Sequence, residues 1–421
     1  MIRSFKRKSK GKDIMIKVCV IFLGAVFAVL TPLRGAQLTP VADISLQGGQ
    51  YYLEGSRSSF GGNASVYFAP VLSFEDGSAL LPVLSLLYRG TRDLRDLVGG
   101  DTLVRQTADY GLNVKYSLDF GGTAWAGRLS YAQSLVNETK DESWGSGLFD
   151  YTRMLAGVEA GRRFGPYGAV FSFDYYTVSF DNYASLVSEV DRDEFSHAID
   201  TTTYSEISAN AGKNVLDYGA AALTAGLERS FGSTEAELEY RLELRSYRDQ
   251  ALVRRDGSFA SGKRSDTVNA FSASVSRIFE RLDLGLGGDL VFFSSNQNSY
   301  DAGAPKFIKD FYSYTSLGVS PSAALYLGNP QSPSRLGINA RLRWRLYSSR
   351  PAQDAAARYL DEEIIHSERG LSITYVYPLS DMISLSARAG MMNVSSNMKN
   401  EAGYLYNYTT MNYFTGFNWR Y

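Results

Sequence analysis

The sequence predicts an all-β protein, a transmembrane antiparallel up-and-down β-barrel of about sixteen strands. Three observations predict this fold class. Segments of about 10 to 15 residues alternate between apolar and polar side chains, the connections between them are alternately short and long, and aromatic residues gather at the segment ends. A strand that crosses a bilayer needs about 9–11 residues, and its side chains point alternately to lipid and to the lumen.

The first element is a leader, residues 1–36, which precedes a barrel domain of residues 37–421. It begins with six basic side chains, and an apolar run follows from Val18 to Leu30. This order is typical of a cleaved signal peptide, and the run is shorter than the about 20 residues that a spanning helix needs. Cleavage is expected within residues 28–36, and an uncleaved anchor helix is the alternative. No later apolar stretch is long enough for a helical span.

Strands follow from the period-two alternation. In residues 109–118 the even-numbered side chains are apolar or aromatic and the odd-numbered ones are polar or glycine; residues 339–347 alternate in the same way, with arginines on the polar face. The whole pattern predicts strands near 42–54, 63–73, 79–89, 107–118, 123–135, 149–164, 167–179, 215–231, 234–247, 266–279, 282–293, 312–327, 336–347, 364–377, 383–394 and 407–421.

The predicted connections alternate in length. Short turns fall near 75–78, 119–122, 165–166, 232–233, 280–281, 328–335 and 378–382, and long loops at 90–106, 180–214, 248–265, 294–311 and 348–363. Short turns on one side and long loops on the other are typical of outer-membrane barrels. An even strand count puts both termini on the side of the short turns, the periplasm.

Aromatic residues mark both ends of the strands. Tyr and Phe number 29 and 23, which suits a protein that places amphipathic rings at two membrane interfaces. Those near the short turns are Phe74, Phe120, Phe164, Tyr167, Phe231, Phe279, Tyr326 and Tyr377. Those near the long loops are Tyr88, Tyr110, Tyr131, Tyr151, Tyr175, Tyr218, Tyr247, Phe292, Tyr312 and Tyr347.

The C-terminus resembles a known assembly signal. Tyr413, Phe417, Trp419 and Tyr421 alternate with polar or small residues, and the chain stops on Tyr421. This ending resembles the terminal signal of bacterial outer-membrane barrels, which usually ends in Phe. The resemblance implies recognition by the barrel-assembly machinery. Residues 40–421 as a whole resemble the porin-like barrel class in architecture, without matching a named porin family.

Charged side chains on the polar faces are the candidate pore lining. If the apolar faces meet lipid, one group of strands presents an acidic side with two arginines and another presents a basic side. The first group comprises Asp174, Glu228, Glu235, Glu237, Glu239, Arg241, Glu243 and Arg245. The second comprises Arg341, Arg343, Arg345, Arg388 and Arg420. Separate acidic and basic walls would create a transverse field that filters solutes by charge. The alternative is that these charges pair with neighbours and only stiffen the wall.

Two segments depart from the pattern. Residues 79–89 are apolar on both faces, which indicates a local seal, an inward apolar patch for a loop or cargo, or a misread strand. The loop 180–214 is rich in carboxylates between Glu189 and Glu194, but it lacks calcium-loop spacing and is interpreted as solvated.

The composition argues against several functions. The mature chain would lack cysteine, because Cys19 lies in the leader, and no pattern for a cofactor or metal is present. A formal net charge of −1 gives no reason to expect nucleic acid as a partner. No enzymatic activity is expected, since the two histidines, His197 and His366, have no partner spacing that would orient a catalytic base.

The leading hypothesis is a porin-like outer-membrane channel for passive diffusion of small hydrophilic solutes. The alternatives are an export or docking component that works with a separate periplasmic partner, and a structural or adhesive surface barrel. Expected partners are outer-membrane lipid, lipopolysaccharide and the barrel-assembly machinery. A homo-oligomer is a further possibility, by resemblance to porins of this size.

Overall fold

A computed structural model describes residues 36–54, 59–90, 93–96, 101–104, 106–138, 142–183, 214–301, 304–401 and 405–421. The predicted leader lies outside these residues except for Ala36. The acidic stretch from Glu189 to Glu194 and His197 lie outside them too.

Sixteen antiparallel strands form a closed barrel. They are β1 (Ala42–Leu53), β2 (Ser59–Phe68), β3 (Ala79–Arg89), β4 (Gln106–Phe120), β5 (Thr123–Asn137), β6 (Tyr151–Phe164), β7 (Tyr167–Ser179), β8 (Tyr218–Phe231), β9 (Thr234–Val253), β10 (Phe259–Ile278), β11 (Leu282–Ser295), β12 (Tyr314–Leu327), β13 (Ser334–Gln353), β14 (Tyr359–Pro378), β15 (Ile383–Ser396) and β16 (Tyr408–Arg420). Each strand pairs with its neighbours in sequence, and β16 pairs back with β1, so the sheet has no edge. The predicted fold class is confirmed.

Two predicted long loops are wrong. Residues 248–265 and 348–363 mostly continue the strands, so that β9–β10 and β13–β14 are hairpins of two 20-residue strands. Each ladder has register shifts, after Ser246 in one hairpin and after Leu346 in the other. A bulge puts an extra residue into one strand and breaks the period-two pattern, which is why the alternation ended early. These two hairpins extend well past the about 9–11 residues that a membrane span requires.

One predicted strand is divided. Residues 63–73 comprise the end of β2 and a separate short strand, Val71–Ser73, which pairs with β3 and with Gln37–Thr39. Pro70 lies between the two pieces, and proline has no N–H for the ladder. The predicted loops 90–106 and 294–311 each contain two short paired antiparallel strands, Asp93–Asp96 with Asp101–Val104 and Ser299–Asp301 with Lys306–Ile308.

The outer wall is apolar, and the inner wall is polar apart from one patch on β3. On the outside, Leu129, Leu238 and Leu371 have 63%, 55% and 50% of their surfaces exposed. A continuous exposed apolar wall of this kind is unstable in water and is stable in lipid. No helix in the described residues is long and apolar enough to cross a membrane.

The periplasmic rim has an aromatic girdle with arginines. Phe120 and Phe164, next to two-residue turns, point outward with 76% and 55% of their surfaces exposed. In β6, β8 and β10 an outward arginine lies against an aromatic ring two residues further along the chain. The pairs are Arg162 with Phe164, Arg229 with Phe231 and Arg277 with Phe279, at 5.0–5.3 Å.

The opposite rim only partly follows the prediction. Tyr88, Tyr110 and Tyr175 face outward. Four others point inward and pack in the lumen, namely Tyr151, Tyr218, Tyr247 and Tyr347. Tyr326, near a short turn, also lies on the inward face of its strand. A position near a strand end is not sufficient to place a ring in the girdle, because the alternation of side chains decides whether it faces lipid or the lumen.

The candidate assembly residues share the outward face of β16. Tyr413, Phe417 and Tyr421 are 46%, 42% and 57% exposed, and Trp419 stacks on Tyr421 with ring centroids 6.2 Å apart. Recognition of this face by the assembly machinery stays a prediction.

Candidate functional site: the charged lining of the bore

The inward face of β9 holds the acidic residues that the alternation selected. Glu235, Glu237 and Glu239 lie on it, on the opposite side of the strand from the exposed Leu238 and Leu244. Glu237 is directly opposite Glu228 of β8, so the acidic wall continues onto the neighbouring strand.

Further along β9, a buried carboxylate joins two arginines. Arg241 donates through Nε and Nη2 to Oε2 of Glu243 at 3.1 and 2.7 Å, and Arg245 donates through Nε to Oε1 at 2.6 Å. The Glu243 side chain is 6% exposed. Charge-assisted hydrogen bonds of this geometry are strong and fix all three side chains. This part of the wall is therefore structural as well as charged.

Asp174 belongs to a chain of ion pairs that the sequence analysis missed. Both oxygens of Asp174 accept from Nη2 of Arg128, at 2.8 and 3.0 Å. Nη1 of Arg128 lies 3.1 Å from Glu159, whose other oxygen is 2.8 Å from Nζ of Lys115. Arg128 and Glu159 lie on the polar faces of their strands, so the alternation in the sequence already predicts that both point inward.

A glycine makes the contact between Asp174 and Arg128 possible. The two residues lie on β7 and β5, and Gly157 of β6 is in register with both. A Cβ added to Gly157 would overlap the Asp174 carboxylate. The carboxylate thus crosses over the glycine to reach an arginine two strands away.

The same arrangement occurs twice more in the barrel. In each case a carboxylate covers a glycine of the next strand and approaches an arginine of the strand beyond, at 3.9 and 3.8 Å. The sets are Asp289 with Gly318 and Arg343, and Glu228 with Gly168 and Arg163. Sequence reasoning did not find these sets, because each one needs the register of three strands.

The basic wall is centred on β13. Arg341, Arg343 and Arg345 lie on its inward face, with Arg341 exposed and Arg345 buried over the ring of Tyr314 at 4.6 Å. Arg388 of β15 is exposed on the same inner wall. Together these residues form a basic stretch of the inner wall, and their role in lining a pore stays a prediction.

Arg420 has a different place from the one expected. It lies at the periplasmic end of β16, 79% exposed, and its Nε donates to Asp43 at 3.1 Å. It belongs to the rim of the barrel, where a carboxylate balances its charge.

The two long hairpins contain equivalent inward segments. Residues 241–247 and 341–347 share the pattern Arg-Leu-x-x-Arg-x-Tyr, and both hairpins have their register shifts at corresponding positions. The third position is Glu243 in one hairpin and Arg343 in the other. The partners across the ladder also differ, since Arg245 is opposite Asp266 and Arg345 is opposite His366. The second hairpin is therefore the more positive one.

Arg264 anchors the upper part of the first hairpin. It is 1% exposed, donates to both oxygens of Asp266 at 2.9 and 2.8 Å, and donates to Gln250 at 3.2 Å. The rings of Tyr247 and Tyr312 lie on the guanidinium at 4.4 and 4.2 Å. These hydrogen bonds and ring contacts of Arg264 hold the hairpin and the loop that contains Tyr312 together.

His366 is placed in the lumen, between Arg345 of β13 and Ser396 of β15, which are its partners in the two ladders. It is 3% exposed on the inward face of β14, opposite Arg345. Ser367 follows it in the chain and therefore points to the other side of the sheet.

One inward patch is apolar. Residues 79–89 do form a strand, and Leu81, Val83 and Leu87 lie on its inward face, in register with polar residues of β4. The interpretation of this segment as a misread strand is wrong.

These features define a class of protein. A closed sixteen-stranded antiparallel barrel, with an apolar outer wall and charges inside, is an outer-membrane β-barrel of porin-like architecture.

The chain is similar in structure to several solved outer-membrane proteins. For in-vitro folded OmpT of Vibrio cholerae in its trimer form, the identity is 9%, the TM-score 0.48, and the alignment covers 92% of this chain and 100% of that one. An anion-selective porin from Comamonas acidovorans is 12% identical with a TM-score of 0.45, and the alignment covers 92% of this chain and 100% of that one. OccD3 of Pseudomonas aeruginosa is 8% identical with a TM-score of 0.46, and the alignment covers 93% of this chain and 96% of that one. No protein-family model and no curated protein sequence matches the chain.

Proposed function

We propose that this barrel is a channel for passive diffusion of small hydrophilic solutes, and that its charged walls select among them. One observation carries the proposal. Arg341, Arg388 and Glu237 all point into the barrel, are exposed, and have no ion-pair partner among the described residues. An uncompensated charge in a dry interior costs several kcal/mol, so these groups require water inside the barrel. A barrel of this strand number leaves room for an aqueous channel.

The position of the charges supports selection by a transverse field. The acidic residues lie on β8 and β9, and the basic ones on β13 and β15. Between them, the inward faces of β10 to β12 carry mainly small side chains, among them Ser272, Ser320 and Gly287, together with the carboxylates of Asp283 and Asp289 on β11. A solute that follows this strip passes between walls of opposite sign, which orients a dipolar molecule and sorts ions by charge.

Single-channel recording in planar lipid bilayers tests the proposal. The purified mature protein is expected to give stable steps whose conductance rises with salt concentration. A matched control is Arg369→Gln, which removes an arginine from the outward face of β14 and should leave the conductance unchanged. A barrel that never conducts would contradict the proposal and would favour an export or docking component, or an adhesive surface barrel.

A further inference from the structure

Arg369 is an exception on the lipid-facing wall. On the outward face of β14, Leu371 and Ile373 lie below Arg369, and Ser367 and then Ile365 lie above it; Leu371, Ile373 and Ile365 are 50%, 43% and 47% exposed. Arg369 is exposed on this same face, in register with Leu342 of β13. An arginine that faces lipid raises the free energy of the folded protein unless an anion or water contacts its guanidinium.

No carboxylate is available to pair with it. Among the described residues, the outward faces of β13, β15 and β16 carry none, and Arg369 has no ion pair or ring contact there. In this it differs from Arg162, Arg229 and Arg277, the outward arginines of the periplasmic rim, which rest on aromatic rings.

Other hydrogen-bond donors surround Arg369. Asn393 of β15 is directly opposite Arg369. Ser367 and Ser395 form the next pair on the same face, towards the extracellular end of the strands. The Asn393 amide donates one hydrogen to Thr409 at 3.0 Å, which leaves the second available. Ser367 is 8% exposed, and its hydroxyl has no hydrogen-bond partner in the described structure. A buried hydroxyl without a partner is destabilising, and an acceptor supplied by a ligand would relieve this once the side chain turned towards it.

The position of Arg369 relative to the membrane favours a lipid phosphate as the ligand. Nine residues separate Arg369 from Pro378 at the periplasmic end of β14. At about 3.3 Å per residue on a strand tilted by about 40°, this is roughly 23 Å, close to the far edge of an apolar band about 25 Å tall. A free anion would have to leave water to reach a cation that has Ile365 above it. The phosphate of a lipid already lies at that depth, and a guanidinium can hold it through two parallel hydrogen bonds.

We propose that Arg369, Ser367 and Asn393 form a binding site for the phosphate group of an outer-leaflet lipid. The site is independent of the proposed channel, because it lies on the other face of the sheet. Occupation would fix one lipid against β14 and β15 and complete the hydrogen bonds of their outward side chains.

Native mass spectrometry of the purified barrel tests the site. Bisphosphorylated lipid A is added to the detergent-solubilised protein, and the fraction that carries one lipid is measured. Arg369→Gln is expected to lower the apparent affinity about tenfold, and Asn393→Ala by a smaller factor. Arg341→Gln, the same charge change on the inward face, should bind like the wild type. Each variant is first shown to keep the heat-modifiable migration of a folded barrel, and Asn393→Ala gives a second readout if Arg369→Gln does not fold.

Four results would overturn the proposal. One is equal binding by wild type and Arg369→Gln. Another is an equal loss in Arg341→Gln, which would indicate general charge attraction. The third is equal binding of lipid A from which both phosphates have been removed. Competition by inorganic phosphate at millimolar concentration would also count against it, because it would identify a free anion as the ligand.

Discussion

Glu243 and Arg343 occupy equivalent places in two hairpins of the same barrel and carry opposite charges. In the first hairpin, Glu243 accepts hydrogen bonds from the arginines on either side of it along β9. In the second, a third arginine takes its place; among the described residues Arg343 pairs with Asp289 at 3.9 Å, and Glu368 is opposite it in the ladder. Two hairpins with the same pattern thus differ in charge at one equivalent inward position.

Replacement of Glu243 by Gln should destabilise the barrel. Two arginines would lose the carboxylate that they share in a site that is 6% exposed. Removal of one partner from a buried ion pair costs about 3–5 kcal/mol. Urea unfolding of the barrel in lipid vesicles measures this loss, and Glu237→Gln on the same strand, with no ion pair in the described structure, should change the free energy of unfolding little. Equal effects of the two variants would refute a special role for Glu243.

Gly157→Ala should break the contact between Asp174 and Arg128. The new methyl group would overlap the Asp174 carboxylate, which must then turn away. Overpacking of this kind costs about 1–3 kcal/mol, in addition to the lost ion pair. Gly127→Ala is the control, since a Cβ there meets no atom within 4 Å. The same unfolding assay should separate the two variants, and a neutral Gly157→Ala would show that the glycine is not required.

Arg264→Lys should loosen the top of the β9–β10 hairpin. An ammonium group cannot reproduce the two parallel hydrogen bonds to Asp266 or the flat stacking between Tyr247 and Tyr312. Hydrogen exchange in residues 247–266 is expected to increase at least tenfold. Lys263→Ala, which removes an exposed pair with Asp249, should have almost no effect. Unchanged exchange in Arg264→Lys would contradict the anchoring role.

The loop before β6 should become less stable as the pH rises from about 4 to 6. Burial raises the pKa of Asp150 from its ordinary 3.8 to about 6, although the amides of Val136 and Gly147 donate to its carboxylate. Because the folded pKa is above the unfolded one, the folded loop holds the proton more tightly, and its stability is lost as the pH rises through 6. Hydrogen exchange of residues 142–150, corrected for the intrinsic rate, should show this trend. Asp150→Asn should abolish it, and a trend of the opposite sign would disprove the raised pKa.

The strands were predictable because alternation is a local property. The predicted ranges 79–89 and 167–179 agree with β3 and β7 residue for residue. The inward places of Glu235 and Arg341 followed from the same pattern, since a strand with one face in lipid must put its charges on the other. Prediction ended where the register shifts after Ser246 and Leu346 interrupt the alternation.

The contacts among the charges needed the register of several strands. The contact of Asp174 with Arg128 depends on Gly157 of the intervening strand, and no single segment contains that information. The same holds for Arg369, whose neighbour Asn393 lies on another strand. The Arg-Leu-x-x-Arg-x-Tyr repeat, by contrast, was visible in the sequence and was missed, because it recurs at a long interval and is short.

The most direct test of the central claim is the reversal potential of the open channel in a salt gradient, compared among three variants. Arg341→Gln with Arg388→Gln should shift the selectivity towards cations. Glu235→Gln with Glu237→Gln should shift it towards anions, and Arg369→Gln on the lipid face should leave it unchanged. Opposite shifts of the two double variants are the predicted result. Equal reversal potentials in all three would contradict the account, because the charged walls would then not face the path of the ions.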